Sequence, residues 1–208
     1  MGYFHITDPQ PDYISPSDFR EDLVVYLDMD GVIADFASRV SVLFGGFKFD
    51  PKEYDLPKQL GITKEKFWDT IRSVPCFWRT VPHYDHTQEI FKICSRFGPT
   101  YFLTDPHDDC NAYIGKLIWL MEAFDFSQHE AMVRLLLTSQ KHLFAHGRAY
   151  LIDDKEDNVD LFMKFGGNAF IFPTPHNRKG QTAKLQPKIN LENWLRMMTK
   201  VKPTKQDG

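Results

Sequence analysis

The side chains capable of chemistry fall at regular places, each just beyond a short apolar run. Asp28-Met29-Asp30-Gly31 follows residues 23–27, and Thr104-Asp105 follows 99–103. Thr138-Ser139-Gln140-Lys141 follows 133–137, and Asp153-Asp154 follows 149–152. In an open parallel sheet, ligands bind outside the carboxyl ends of the strands, so these residues would converge on one edge. The carboxylates of Asp28, Asp30, Asp153 and Asp154, gathered there, cannot all stay ionised without a cation among them. A hard divalent ion with oxygen ligands meets that need, and Mg²⁺ is the usual one where phosphates are handled. Lys141 and the Thr104 hydroxyl then remain to hold the outer oxygens of a phosphoryl group. An aspartate can itself be the nucleophile. The chemistry implied is Mg²⁺-dependent phosphoryl transfer.

Rival sites fail on spacing. A calcium loop counted from Asp28 puts Arg39 at the twelfth position, where a bidentate Glu is needed. Counted from Asp153, Lys155 and Lys164 fall on ligand positions. No GxxxxGK[ST] and no GxGxxG after the first strand occurs. His142 and His146 stand four apart, but no third ligand lies near them. Cys76, Cys94 and Cys110 have no CxxC spacing, which excludes a zinc knuckle and points to a reducing cytoplasm.

The elements that must position these groups follow from periodicity. Five apolar runs, 23–27, 99–103, 133–137, 149–152 and 168–172, are too short for helices and suit strands buried on both faces. Helical patterns cover 33–43, 86–96, 110–124 and 158–165, with Gly45-Gly46, Gly98 and Gly166-Gly167 as stops. Alternating strands and helices imply right-handed crossovers and a three-layer α/β fold with a parallel sheet. Residues 47–82 break the rhythm. They are rich in Lys, Pro and aromatics, with one clear helical piece at 63–72, and read as a small helical cap over the sheet's carboxyl edge. The expected organisation is an arm at 1–22, a core at 23–46 and 83–208, and a cap at 47–82. A last amphipathic helix is expected at 191–198.

Length suits one domain of ordinary size, or one domain plus a small insertion. The chain has 208 residues, 42% hydrophobic and 25% charged, with net charge −3, which excludes wholesale disorder and a chain built around polyanions. No apolar stretch nears the ~20 residues of a membrane helix, and the amino-terminal segment lacks the pattern of a signal peptide.

Asp28-Met29-Asp30-Gly31-Val32-Ile33-Ala34-Asp35-Phe36 resembles motif I of the haloacid dehalogenase phosphatase superfamily. More narrowly, it is similar to the 5′(3′)-deoxyribonucleotidase family. Thr104 matches motif II, Lys141 motif III and Leu151-Ile152-Asp153-Asp154 motif IV, all in the family's order. The resemblance implies a Rossmann-like three-layer fold with a cap inserted after the first strand–helix unit. It makes Asp28 the nucleophile and Asp30 the acid and base, with Thr104 and Lys141 gripping phosphoryl oxygens. Mg²⁺ would be held by Asp28, the Asp30 carbonyl and Asp154, with Asp153 acting through water or hydrogen bonds. A nucleobase would stack among Phe36, Trp68, Phe77 and Trp78. Asp105 departs from the family, which has a small uncharged residue there; it is expected to face sugar hydroxyls or a neighbouring histidine.

The activity expected is hydrolysis of nucleoside monophosphates, in first place deoxyribonucleoside 5′- or 3′-monophosphates, through an aspartyl-phosphate. Alternatives are a polynucleotide 3′-end, a non-nucleotide phosphate ester, or a non-catalytic nucleotide- or partner-binding protein. The partner expected is a small-molecule nucleotide, with no membrane, nucleic acid disfavoured despite the basic tail, and a homodimer left open.

Overall fold

A computed structural model describes residues 23–177, 179 and 187–200. The arm expected at 1–22 and the end of the tail lie outside the described residues. The expected strands form one parallel sheet: β1 (Val24–Leu27), β2 (Thr100–Thr104), β3 (Leu135–Leu137), β4 (Ala149–Asp153) and β5 (Asn168–Ile171). Their order is β3-β2-β1-β4-β5. Both neighbours of β1 are reached by crossovers, so the order reverses at β1 and the crevice opens at its carboxyl end. Register sets Leu27 beside Phe102 and Ile152, and Asp28 donates its N–H to the Ile152 carbonyl at 2.9 Å.

Strand alternation divides the core in two. Val25, Leu27, Phe102, Tyr150 and Ile152 belong to the large cluster with Ile90, Ile93, Trp119, Leu120, Leu191 and Leu195. That face is covered by α4 (Thr87–Ser95), α5 (Cys110–Phe124) and α8 (Pro187–Lys200). Tyr26, Leu103, Ala149 and Leu151 pack with Phe162 on the other face, under α7 (Glu156–Lys164). A period of two on strands covered on both sides produces this split.

Two expectations change. The run 133–137 is not all strand, because α6 (Gln128–Arg134) continues to Arg134. Ser127 caps that helix, accepting the Glu130 N–H at 3.2 Å, a Ser-x-x-Glu start that claims Val133 and Arg134 before pairing begins. The first helix, α1 (Phe36–Leu43), starts later than 33. Val32, Ile33 and Ala34 all donate to the Met29 carbonyl and form a tight turn instead, and Asp35 caps the helix by accepting the Ser38 N–H at 3.0 Å.

The segment 47–82 holds α2 (Leu56–Leu60), α3 (Lys64–Arg72) and a 3-10 turn (Trp78–Thr80). Thr63 caps α3 as its sequence suggests, accepting the Lys66 N–H at 3.2 Å. Phe67, Ile71, Phe77 and Trp78 belong to the same apolar cluster as β1 and α5, so the segment shares its core with the sheet. Trp78 donates its Nε1–H to Asp109 Oδ2 at 2.6 Å, and Asp109 caps α5. Gly115 lets this turn approach α5, since a Cβ there would lie 2.6 Å from Trp78 Cβ and 3.2 Å from the Arg79 nitrogen.

Gly115→Ala is therefore expected to destabilise by about 1–3 kcal/mol through overpacking. That is a fall of roughly 2–12 °C in Tm for a chain this long, measurable by calorimetry; an unchanged Tm would contradict the close approach.

Candidate active site

Three carboxylates meet at the carboxyl ends of β1 and β4. Asp28, Asp153 and Asp154 each offer an oxygen, all within 4.8 Å of one another, and all three side chains are buried. One ammonium reaches two of them: Lys141 Nζ lies 2.7 Å from Asp28 Oδ1 and 2.6 Å from Asp153 Oδ2. Asp153 also accepts the Lys155 N–H at 2.9 Å and the Asn158 amide at 3.0 Å. Its carboxylate is therefore fully engaged by protein donors, whereas Asp28 and Asp154 keep free lone pairs. Asp154 meets His176 Nε2 at 3.1 Å. Asn177 donates to the carbonyls of Asp154 and Phe172 at 2.9 and 2.8 Å and pins the loop after β5.

The charges do not balance. Burial, against the pull of Lys141, raises the Asp28 carboxyl from an ordinary 3.8 to about 8, and Asp153, Asp154 and Asp30 add to the rise. Burial also raises Asp154, opposed by His176. Burial works to lower Lys141, but Asp153 and Asp28 outweigh it and raise its pKa, so it stays charged. Buried hard oxygens short of positive charge fit a divalent cation. Gly31 leaves the space open: at φ +81° it turns the chain, and a Cβ there would collide with the Asp154 carboxylate.

A second cation serves the other side. Lys116 Nζ donates to Asp30 Oδ2 at 2.6 Å, to Thr104 Oγ1 at 2.7 Å and to the Asp105 carbonyl at 2.8 Å. Burial alone would raise the Asp30 pKa, but Lys116 and then His107, 3.8 Å away, hold it well below the carboxylate range. Asp30 is thus ionised, its carboxylate directed to Lys116 rather than to the trio. Because the Thr104 oxygen accepts from Lys116, its own proton is left for a ligand.

The expected residues Asp28, Asp30, Thr104, Lys141, Asp153 and Asp154 therefore gather at the sheet's carboxyl edge. The aromatic candidates divide. Phe36 stacks on Trp78 at 5.7 Å and meets Trp68 at 6.1 Å. Trp68 lines a polar cavity of about 560 Å³ with Lys64, Arg72, Asp105, His107 and Ser139. Phe77 and Trp78 are 0% and 1% exposed and present no open face. Asp105 turns its carboxylate onto the His107 backbone N–H at 2.7 Å.

Lys116 and His176 were not singled out from sequence. Lys116 left a trace, since Ala112, Gly115, Lys116, Trp119 and Leu120 form the buried stripe of α5, and a lysine within such a stripe needs an acidic partner. His176 left none, because its place depends on the path of the loop after β5.

No family model matches the chain. Two relatives, from Staphylococcus epidermidis and Staphylococcus aureus, each carry the name "Putative 5′(3′)-deoxyribonucleotidase". Each is 23% identical over 163 residues, covering 74% of this chain and 84% or 83% of the relative. A crystal structure of a haloacid dehalogenase-like family hydrolase from Xanthomonas campestris superposes with a TM-score of 0.52 at 11% identity. That likeness covers 85% of this chain and 91% of that one. The fold is that of the haloacid dehalogenase-like hydrolases. In this chain the strand order reverses at β1, whose carboxyl end carries Asp28. No described helix is long and apolar enough to cross a membrane.

The raised Asp28 pKa makes a signed prediction. Folded, metal-free protein keeps the proton up to about pH 8, while an unfolded chain releases it near 3.8. Stability therefore declines as pH rises through that interval. The Tm of metal-free protein is expected to fall between about pH 5 and pH 8, and added Mg²⁺ to raise it more at the higher pH. A Mg²⁺ effect of equal size at both would contradict the assignment.

Proposed function

We propose that this protein is a Mg²⁺-dependent phosphomonoesterase acting on nucleoside monophosphates, with the deoxyribonucleoside 5′- or 3′-esters foremost. The observation that carries the reading is the buried trio of Asp28, Asp153 and Asp154 beside a lysine, a threonine and a separately held aspartate. The names of the staphylococcal relatives support the nucleotide part, and the free thiols of Cys76, Cys94 and Cys110 suit work in the cytoplasm.

Asp28, Asp154 and the Asp30 carbonyl would hold the ion, with Asp153 fixing Lys141 beside them. Bound there, Mg²⁺ supplies positive charge for the phosphoryl oxygens. Asp28 Oδ attacks phosphorus, and the ester P–O bond breaks as Asp30 gives its proton to the departing oxygen. Asp30 is ionised in the empty site, and arrival of a dianionic phosphate beside it favours the protonated form. Thr104 and Lys141 meet the equatorial oxygens as charge spreads over them. A water then attacks the phosphorus of the aspartyl-phosphate, Asp30 takes its proton, and Asp28 leaves as carboxylate. The segment 47–82 would act as the cap that excludes bulk water during both steps.

Asp28→Asn is expected to abolish turnover of deoxynucleoside monophosphates while leaving the circular dichroism spectrum of the wild type. Turnover retained in that variant would show another nucleophile. Asp30→Asn is expected to cost about 10²- to 10⁴-fold in kcat, the usual contribution of a general acid–base. Lys116→Met removes the cation that keeps Asp30 ionised, so the alkaline limb of the kcat/KM–pH profile, on which Asp30 loses the proton it must give, moves to higher pH. An unmoved limb would mean that Lys116 does not govern Asp30.

A further inference from the structure

The His107 imidazole lies against the aromatic faces assigned to a nucleobase. Its ring is 4.5 Å from Trp68 at 18° and 5.6 Å from Trp78 at 6°, and Phe36 stands 6.2 Å away at 25°. Near-parallel rings at these separations are stacked. Trp78 thus has no open face partly because a small planar heterocycle from the chain itself covers it.

The backbone under that ring is held by Asp105, which accepts the His107 N–H at 2.7 Å, so the ring leaves by rotating about its own side-chain bonds. His107 belongs to the turn between β2 and α5, not to either element. His107 and Asp108 take φ of +54° and +51°, the left-handed region that non-glycine residues occupy at a cost. The side chain is 28% exposed and lines the same cavity as Trp68, so it has open space to enter. Its contact with Asp30 is 3.8 Å, and Lys116 at 2.6 Å is the nearer partner of that carboxylate.

We propose that His107 is a specificity-determining residue: its imidazole stands in for the nucleobase, and a bound nucleotide exchanges its own base for that ring on Trp68 and Trp78. The inference rests on the nucleotidase reading above. An aromatic base replaces the stacking it disrupts and so gains little net, whereas an aliphatic phosphate ester leaves the ring in place. Base stacking tolerates different bases, so the exchange lowers the preference for nucleotides over aliphatic esters without choosing among bases.

The test uses the full chain carrying Asp28→Asn, titrated with deoxyuridine 5′-monophosphate and separately with inorganic phosphate, both with Mg²⁺. The His107 ring-proton resonances are assigned by their loss in His107→Gln. They are expected to be shifted by the two indoles in the free protein, to move to solvent-exposed positions with the nucleotide, and to stay with phosphate alone. In the otherwise wild-type enzyme, His107→Ala is expected to raise the ratio of kcat/KM for the nucleotide to that for glycerol 2-phosphate. A rise of about tenfold is expected, equivalent to roughly 1.4 kcal/mol, since the slot no longer has to be vacated. Saturation by nucleotide with the His107 resonances unmoved, or a ratio that falls or stays level, would overturn the exchange. Hydrolysis of nucleotides with His107 unmoved overturns this inference alone, whereas no hydrolysis of any nucleotide overturns the functional reading and this inference with it.

Discussion

Three carboxylates buried around one point are the constraint on which the site depends. An isolated buried carboxylate costs several kcal/mol even after relaxation, so neither the trio nor the sheet edge that carries it is tolerable without compensation. Lys141 neutralises part of the charge, and the Lys155 N–H and Asn158 satisfy Asp153. What is left falls on Asp28 and Asp154, whose carboxyls therefore cling to protons in the absence of metal. The parallel pairing of β1 with β4 brings Asp28 level with Asp153 and Asp154, and Gly31 yields the room that Asp154 needs. The fitness of this edge for a cation and its local instability have here the same origin.

The opposite wall is arranged so that its groups support one another. Lys116 spans Asp30, Thr104 and the Asp105 carbonyl, so the proposed acid–base group and the hydroxyl proposed to meet the phosphate share one anchor. That anchor is rigid because α5 is capped by Asp109, and Asp109 in turn holds the Trp78 indole. Lys116 Nζ also lies 4.8 Å from the centre of the Trp78 ring, a cation–π contact that lessens the cost of burying it. The return of segment 47–82 and the helix after β2 are thus tied to Asp30 through Trp78, Asp109 and Lys116. On the other side, Tyr54 of the same segment packs 5.1 Å from the His176 ring, beside Asp154, so both walls touch that segment.

Much of this could be read from the chain because buried parallel strands must be continuously apolar and must end where the ligand sits. Leu23 to Leu27 followed by Asp28 is such a place, and so is Ala149 to Ile152 followed by Asp153. Local rules failed where two of them competed. Val133 and Arg134 fit a strand by composition, but the Ser127 cap had already committed them to helix. Phe77 and Trp78 have the ring faces of a stacking site, yet their burial depends on how α5 returns past them, which no local pattern records. Lys116 could have been found by asking what a lysine does in an apolar stripe. His176 could not, because a loop residue is placed by the two elements it joins.

The most direct test of the account is calorimetric titration of metal-free protein with Mg²⁺ near neutral pH, repeated in buffers of different ionisation enthalpy. One ion per chain, bound with release of protons and abolished by Asp154→Asn, is the predicted result, since the carboxyls of Asp28 and Asp154 must ionise to take it. Binding without proton release, or binding that survives loss of Asp154, would place the ion elsewhere and contradict a cation held between Asp28 and Asp154.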